Sequence, residues 1–205
     1  MGLFVKICGI AAADDASAVA EMRPDALGFV FWGGSKRFVR AEAVGRWTRD
    51  LPAGILRVGV FVDASPDEVH RVVEVAGLDV AQLHGAERPE DFVGRPFRLW
   101  RALSLRSGED VVPAGWPVDA FLVDTYSPHS PGGTGHVGDW TAARSFVERC
   151  PAPVLLAGGL NSANVKAAVA AVKPWGVDVS SGVELQPGKK DLVKVREFIE
   201  RCREE

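Results

Sequence analysis

Eight short apolar runs, mostly β-branched, recur along the chain with amphipathic or alanine-rich stretches between them, and this alternation limits the possible folds more than any other feature. The runs are Leu3 to Cys8, Ala26 to Phe31, Leu56 to Val62, Val80 to His84, Phe97 to Ala102, Ala120 to Asp124, Val154 to Ala157 and Gly176 to Ser180. Most are apolar at both alternate sets of positions, as strands of a parallel sheet covered on both faces must be. Parallel neighbours need crossovers, and helices are expected over Asp14 to Glu21, Ala41 to Arg49, Pro66 to Ala76, Trp140 to Glu148, Ser162 to Val172 and Leu192 to Arg201. Ser65 before Pro66, with Asp67 and Glu68 next, reads as a helix start, and Asn161 with Ser162 offers a second cap. The fourth and fifth connections, around Pro89 to Val93 and Ser107 to Val112, are the shortest and least helical. Eight such units without a break in composition predict one α/β domain over residues 1–205, a closed (β/α)8 TIM barrel with a parallel eight-stranded sheet. A doubly wound open sheet is the alternative, but no Gly-x-Gly-x-x-Gly follows the first run.

A chain of 205 residues can bury most of its unfolded surface in one core. Its net charge of −3, with both signs mixed along the chain, supplies no basic stripe for nucleic acid. No apolar run approaches the ~20 residues that span a bilayer, and Met1 to Lys6 lacks the pattern of a secretory signal. Cys8, Cys150 and Cys202 are odd in number and far apart, which fits a reduced cytoplasm. Neither they nor His70, His84, His129 and His136 show metal-site spacing, so no metal is expected. The expected protein is cytoplasmic, binds a small molecule rather than nucleic acid or membrane, and is a monomer or a homodimer.

Barrel enzymes collect their reactive groups at the carboxyl ends of the strands. The first run ends on the thiol of Cys8 and the sixth on the carboxylate of Asp124. An unpaired cysteine is also a good packing residue, and Asp124 could brace the loop that follows it. Gly158 and Gly159 follow the seventh run, and Ser181 and Gly182 the eighth, where barrels of this type bind phosphate. Glycine lets backbone N–H groups approach an anion, and serine adds a donor; the bland reading is a pair of tight turns. Gly133, Thr134 and Gly135 lie in the long loop after the sixth run, where they would form a mobile cover or a loop without a ligand.

Several of these residues sit in motifs with a family likeness. Lys6 to Gly9, Gly28 to Phe31 with Ser35 to Val39, Gln82 to Gly85, Gly132 to His136 with Asp139 and Trp140, Leu156 to Leu160, and Gly176 to Glu184 followed by Pro187 to Asp191 together resemble the phosphoribosylanthranilate isomerases. Their order and spacing span the chain. The resemblance implies an Amadori rearrangement of N-(5'-phosphoribosyl)anthranilate to 1-(2-carboxyphenylamino)-1-deoxyribulose 5-phosphate in tryptophan biosynthesis, with no cofactor. It further implies Asp124 as general acid, Cys8 as general base, Arg37 on the anthranilate carboxylate, His84 beside the anthranilate group and Asp178 on a ribose hydroxyl. A carboxyl group ordinarily ionises near pH 4 and a thiol near 8.5, so the site has to favour the less usual form of each. One departure is visible: Ala11, Ala12 and Ala13 stand where family members often carry Thr and a charged residue.

Other barrels share a phosphate end, and fold alone does not separate them. A metal-dependent epimerase would show His and acidic ligands on several strand ends. The related histidine-pathway isomerase resembles a pair of aspartates, one of them where Cys8 stands here. A non-catalytic barrel that binds a phosphorylated metabolite is the alternative outside enzymes, and would keep the glycine turns while losing the acid or the base.

Overall fold

A computed structural model describes residues 2–105, 112–124 and 140–204. Eight strands, β1 (Phe4–Ile7), β2 (Ala26–Val30), β3 (Leu56–Phe61), β4 (Val80–Leu83), β5 (Arg98–Ser104), β6 (Ala120–Asp124), β7 (Val154–Ala157) and β8 (Gly176–Val179), pair in parallel in chain order. β1 also pairs with β8, which closes the barrel and excludes the open sheet. Among the described residues the crossover helices are α1 (Ala13–Glu21), α2 (Ala41–Trp47), α3 (Pro66–Ala76), α4 (Trp140–Arg149), α5 (Val165–Val172) and α6 (Leu192–Arg203). The fourth connection holds a single 3-10 turn, Pro89–Phe92, and no helix forms in residues 112–119 of the fifth. The remainder of that connection, residues 106–111, lies outside the described residues.

The two-faced apolar character of the strands has a direct structural reading. One set of alternate residues, including Val5, Ile7, Leu27, Phe29, Ala81, Leu83, Phe121, Val123 and Val177, packs outward against helix residues such as Val19, Val44, Val69, Phe146 and Phe198. The other set, Ala26, Val58, Val80, Trp100, Ala120, Leu122 and Leu155, fills the lumen. At the amino end Phe4 stacks on Trp175 at 4.3 Å between ring centroids, and Trp100 meets both rings edge-on. Trp100 is buried at the centre of this plug, and Phe4 and Trp175 are half-buried around it.

Register is tied at the same end by a recurring carboxylate. Asp25, Asp79 and Asp119 each precede an even-numbered strand, and each accepts the backbone N–H of the preceding strand, from Val5, Arg57 and Leu99, at 2.7, 2.8 and 2.8 Å. A one-residue slip would exchange the lumen and outer faces of a strand, so these bonds help fix which side chains reach the lumen.

The start of α3 follows its sequence signal, with Ser65 Oγ accepting the Glu68 N–H at 3.3 Å and Pro66 in the first turn. α5 begins at Val165 rather than at Ser162. Asn161 Oδ1 accepts from the N–H groups of Ala163 and Asn164, and Asn164 Oδ1 accepts from that of Asn161, so a side-chain-closed turn occupies the expected first turn of the helix. After β8 the chain adds a hairpin absent from the sequence expectation, β9 (Glu184–Gln186) with β10 (Lys189–Lys190). Among the described residues no helix is long and apolar enough to cross a membrane.

Candidate active site

The lumen changes character toward the carboxyl ends. Along β1 and the residue after it the lumen-facing sequence runs Phe4, Lys6, Cys8, and along β8 and the residue after it Gly176, Asp178, Ser180. Lys6 and Asp178 are register partners, and Lys6 Nζ donates to Asp178 Oδ1 at 2.7 Å with its side chain fully buried. Burial works against the ammonium, but Asp178 and the neighbouring Cys8 outweigh it and Lys6 is raised above its ordinary range.

Cys8 is the next lumen-facing residue, immediately after β1, and is 7% exposed, its backbone N–H bonded to the Val179 carbonyl at 2.8 Å. Burial pushes its thiol above the ordinary range, with Lys6 opposing. The lumen around it is cut to size by glycine. A β-carbon on Gly28 would come 2.6 Å from Cys8 Sγ and 3.0 Å from Lys6 Nζ. Gly9 has a φ of +75°, and a β-carbon there would meet Arg37 Cδ at 2.5 Å and Ser180 Oγ at 2.8 Å. The glycine of the Lys6-to-Gly9 run therefore both turns the chain and lets Arg37 lie across it.

Arg37 is held by two bonds to Glu184, from Nε at 2.8 Å and from Nη2 at 2.5 Å. Glu184 also accepts from Lys190 Nζ at 3.0 Å, and Lys190 donates to the Ser180 carbonyl at 3.2 Å. Burial opposes the charge on Glu184, yet Arg37 and Lys190 hold its carboxyl below the ordinary range. Arg37 has five donors, so three remain beyond its bonds to Glu184. The hairpin thus serves to fix Arg37 at the barrel mouth.

Gln82 on β4 and His84 immediately after it are successive lumen-facing positions, with Gln82 Nε2 and His84 Nε2 2.7 Å apart. His84 is exposed toward the barrel mouth, but the protein around its ring and then the charge of Lys6 lower it to about 4, so its imidazole is neutral at physiological pH. Gln82 is 1% exposed, and its Oε1 has no partner among the described residues. Asp124 ends β6 in phase with lumen residues Ala120 and Leu122, in register between Ser104 and Ala157. Cys8 and Asp124 therefore both project into the lumen at its carboxyl end.

The two donor-rich turns meet. Gly158 and Gly159 take φ values of +94° and +66°, and Asn164 Nδ2 donates to the Gly159 carbonyl at 3.0 Å. The turn after β8 packs so closely that a β-carbon on Gly182 would run into the Leu160 carbonyl oxygen. Ser181 and Gly182 are in a 3-10 turn, Ser181–Val183. Gly133, Thr134 and Gly135 lie outside the described residues.

Among the described residues no three His, Cys, Asp or Glu side chains gather as a metal site. Sequence reasoning missed Lys6, Gln82, Glu184 and Lys190 as parts of this constellation. A lysine inside an apolar strand was the available signal for Lys6, because a buried ammonium needs a partner; nothing local identified Asp178 as that partner.

Comparisons with known proteins converge on one family. The model of the family described as N-(5'-phosphoribosyl)anthranilate (PRA) isomerase matches residues 5–201. A relative from Geobacter sp. (strain M21), named N-(5'-phosphoribosyl)anthranilate isomerase, is 46% identical over 196 residues, covering 95% of each chain. The crystal structure of phosphoribosyl anthranilate isomerase from Thermus thermophilus aligns with a TM-score of 0.85 at 37% identity, over 97% of this chain and 98% of that one. A further crystal structure of this isomerase, in complex with reduced 1-(o-carboxyphenylamino)-1-deoxyribulose 5-phosphate, aligns with a TM-score of 0.82 at 32% identity over 98% of both chains. With the closed barrel and the strand-end residues in register with it, these matches establish that the chain belongs to the N-(5'-phosphoribosyl)anthranilate isomerase family.

Proposed function

We propose that this chain, acting as one catalytic domain in the cytoplasm as a monomer or a homodimer, isomerises N-(5'-phosphoribosyl)anthranilate by an Amadori rearrangement in tryptophan biosynthesis. Asp124 gives its proton to the furanose ring oxygen as the C1–O bond breaks and the anthranilate nitrogen forms a C1=N iminium. Cys8, as thiolate, takes the proton from C2, and the C2–H electrons form the C1=C2 bond of an enolamine while the iminium is neutralised. Tautomerisation gives the C2 ketone and a CH2 at C1. C1 is reduced as C2 is oxidised, so the electrons balance within the substrate and no external cofactor is required.

The remaining groups hold the substrate. Arg37 presents its remaining donors to the anthranilate carboxylate, a planar acceptor suited to a guanidinium. Neutral His84 borders the anthranilate group, and Asp178 accepts from a ribose hydroxyl. The backbone N–H groups around Gly158, Gly159, Ser181 and Gly182 take the phosphate. The observation that carries the reading is the pairing of a thiol and a carboxylate, Cys8 and Asp124, at the lumen-facing carboxyl ends of β1 and β6 in a chain of this family. Cysteine at position 8 separates it from the two-aspartate pattern of the histidine-pathway isomerase. The test is incubation of the purified protein with freshly made phosphoribosylanthranilate. Loss of anthranilate-type fluorescence at a rate proportional to protein is expected, and a rate no faster than the protein-free control would refute the assignment.

A further inference from the structure

Cys8 and Lys6 lie side by side in the lumen. Lys6 Nζ carries three donors, one of which goes to Asp178 Oδ1, and Nζ and Cys8 Sγ both lie within 3.0 Å of the point a Gly28 β-carbon would occupy. A buried ion pair is a poor device for stability alone, since apolar replacements of similar volume are often as stable. We propose that Lys6 is a positioning residue for the reaction: its ammonium is the counter-ion against which the buried Cys8 thiol ionises. This rests on the reading of Cys8 as the base.

When the S–H bond breaks, the proton leaves to water at the barrel mouth and the electron pair stays on Sγ, beside the Lys6 ammonium. The thiolate then takes the C2 proton, and the thiol is restored. The other charged or titratable groups around Cys8 are Asp178 on β8, which disfavours the thiolate, Lys190 on β10, Arg37 in the loop after β2, His84 immediately after β4 and Asp124 across the mouth on β6. Lys190 and Arg37 are bonded to Glu184, and His84 is neutral. Lys6 is therefore the cation best placed to answer the charge on Sγ.

The test is the pH dependence of Cys8 alkylation by iodoacetamide in the ligand-free protein, with the labelled residue identified by mass spectrometry. Lys6→Met should raise the alkylation midpoint by about 1–3 units, the usual effect of losing an opposite charge at close range, and slow the reaction about 10- to 1000-fold at neutral pH. Asp178→Asn should do the reverse, lowering the midpoint and speeding alkylation, even as the loss of a ribose contact lowers turnover. If Lys6 served only to neutralise Asp178, the double variant Lys6→Met/Asp178→Asn would keep the native profile, whereas the proposal expects a raised midpoint there as well; a native profile in folded Lys6→Met or in the folded double variant overturns the proposal. Should Lys6→Met fail to fold, the double variant, which leaves neither charge buried without its partner, decides. Failure of the underlying reading looks different, because Cys8→Ala would then keep near-native turnover whatever the alkylation profiles show.

Discussion

The two ends of the barrel lumen are built from the same strands in the same alternating phase, yet they differ in kind. At the amino end β1 contributes Phe4 to an aromatic plug with Trp100 and Trp175. At the carboxyl end the same segment contributes the buried Lys6 and Cys8 to a set of polar groups with the buried Gln82, the part-buried Asp178 and Asp124, and His84 at the exposed rim. Burial of the aromatic rings stabilises the fold directly. Burial of the polar groups costs stability unless each finds a partner, and the amount by which charge and proton affinity are displaced there is what gives the site its chemistry. The proposed function thus places stability and chemistry at opposite ends of one lumen.

Mutations should separate the two ends. Trp100→Ala should show the largest effect, destabilising the barrel by about 3–5 kcal/mol while the surviving folded protein turns over substrate at near the native rate. Denaturant unfolding with active-site titration checks both parts, and a turnover defect per folded molecule would blur the division. Gly28→Ala should give the opposite pattern. Its methyl group displaces Cys8 Sγ or Lys6 Nζ, and a misplacement of about 1 Å costs roughly 100-fold in turnover; unchanged kcat would mean that the close approach does not matter to the reaction.

Arg37→Met should weaken anthranilate-bearing ligands by about 1.5–3 kcal/mol, the worth of hydrogen bonds to a charged group, and leave simple ribose phosphate esters nearly unaffected. Equal losses by calorimetry would place Arg37 with the hairpin rather than with the ligand. The smallest effect concerns Cys202 on α6, whose thiol burial pushes up from 9.0 to about 12. The folded state then holds its proton where the unfolded chain has lost it. This contribution is complete below pH 9.0 and is lost as pH rises toward 12, so Cys202→Ala should flatten the alkaline fall of stability in thermal melts.

The division along the lumen also accounts for what could be read from sequence. All eight strands lie within two residues of their expected bounds, because two-faced apolar runs are local patterns, and β6 and β7 match at both ends. The largest strand difference is β5, which continues to Ser104 rather than stopping at Ala102. Its carboxyl end is polar, and Ser104 is held by register with Asp124 rather than by an apolar pattern. The short fourth connection proved to be a 3-10 turn, in keeping with its weak helical pattern. Cys8 and Asp124 stood out as candidates because they end apolar runs, whereas Asp178, Arg37 and His84 entered through the family resemblance. The bond from Lys6 to Asp178 spans 172 positions and that from Arg37 to Glu184 spans 147, and no local rule joins residues so far apart. For the same reason the hairpin of Glu184 and Lys190 went unread, although its residues lie in a run that carries the family likeness.

The proposed function places the chemistry in the thiol and the carboxylate at the open end of the lumen. It is tested most directly by the turnover of freshly made phosphoribosylanthranilate by Cys8→Ala and by Asp124→Asn at folded-protein concentrations equal to the native enzyme. A positioned general acid or base contributes roughly 10²- to 10⁴-fold in rate, so each variant should fall by at least that order with its stability and its binding of a product analogue nearly intact. Near-native turnover by Cys8→Ala would make the thiol a packing residue and contradict the account.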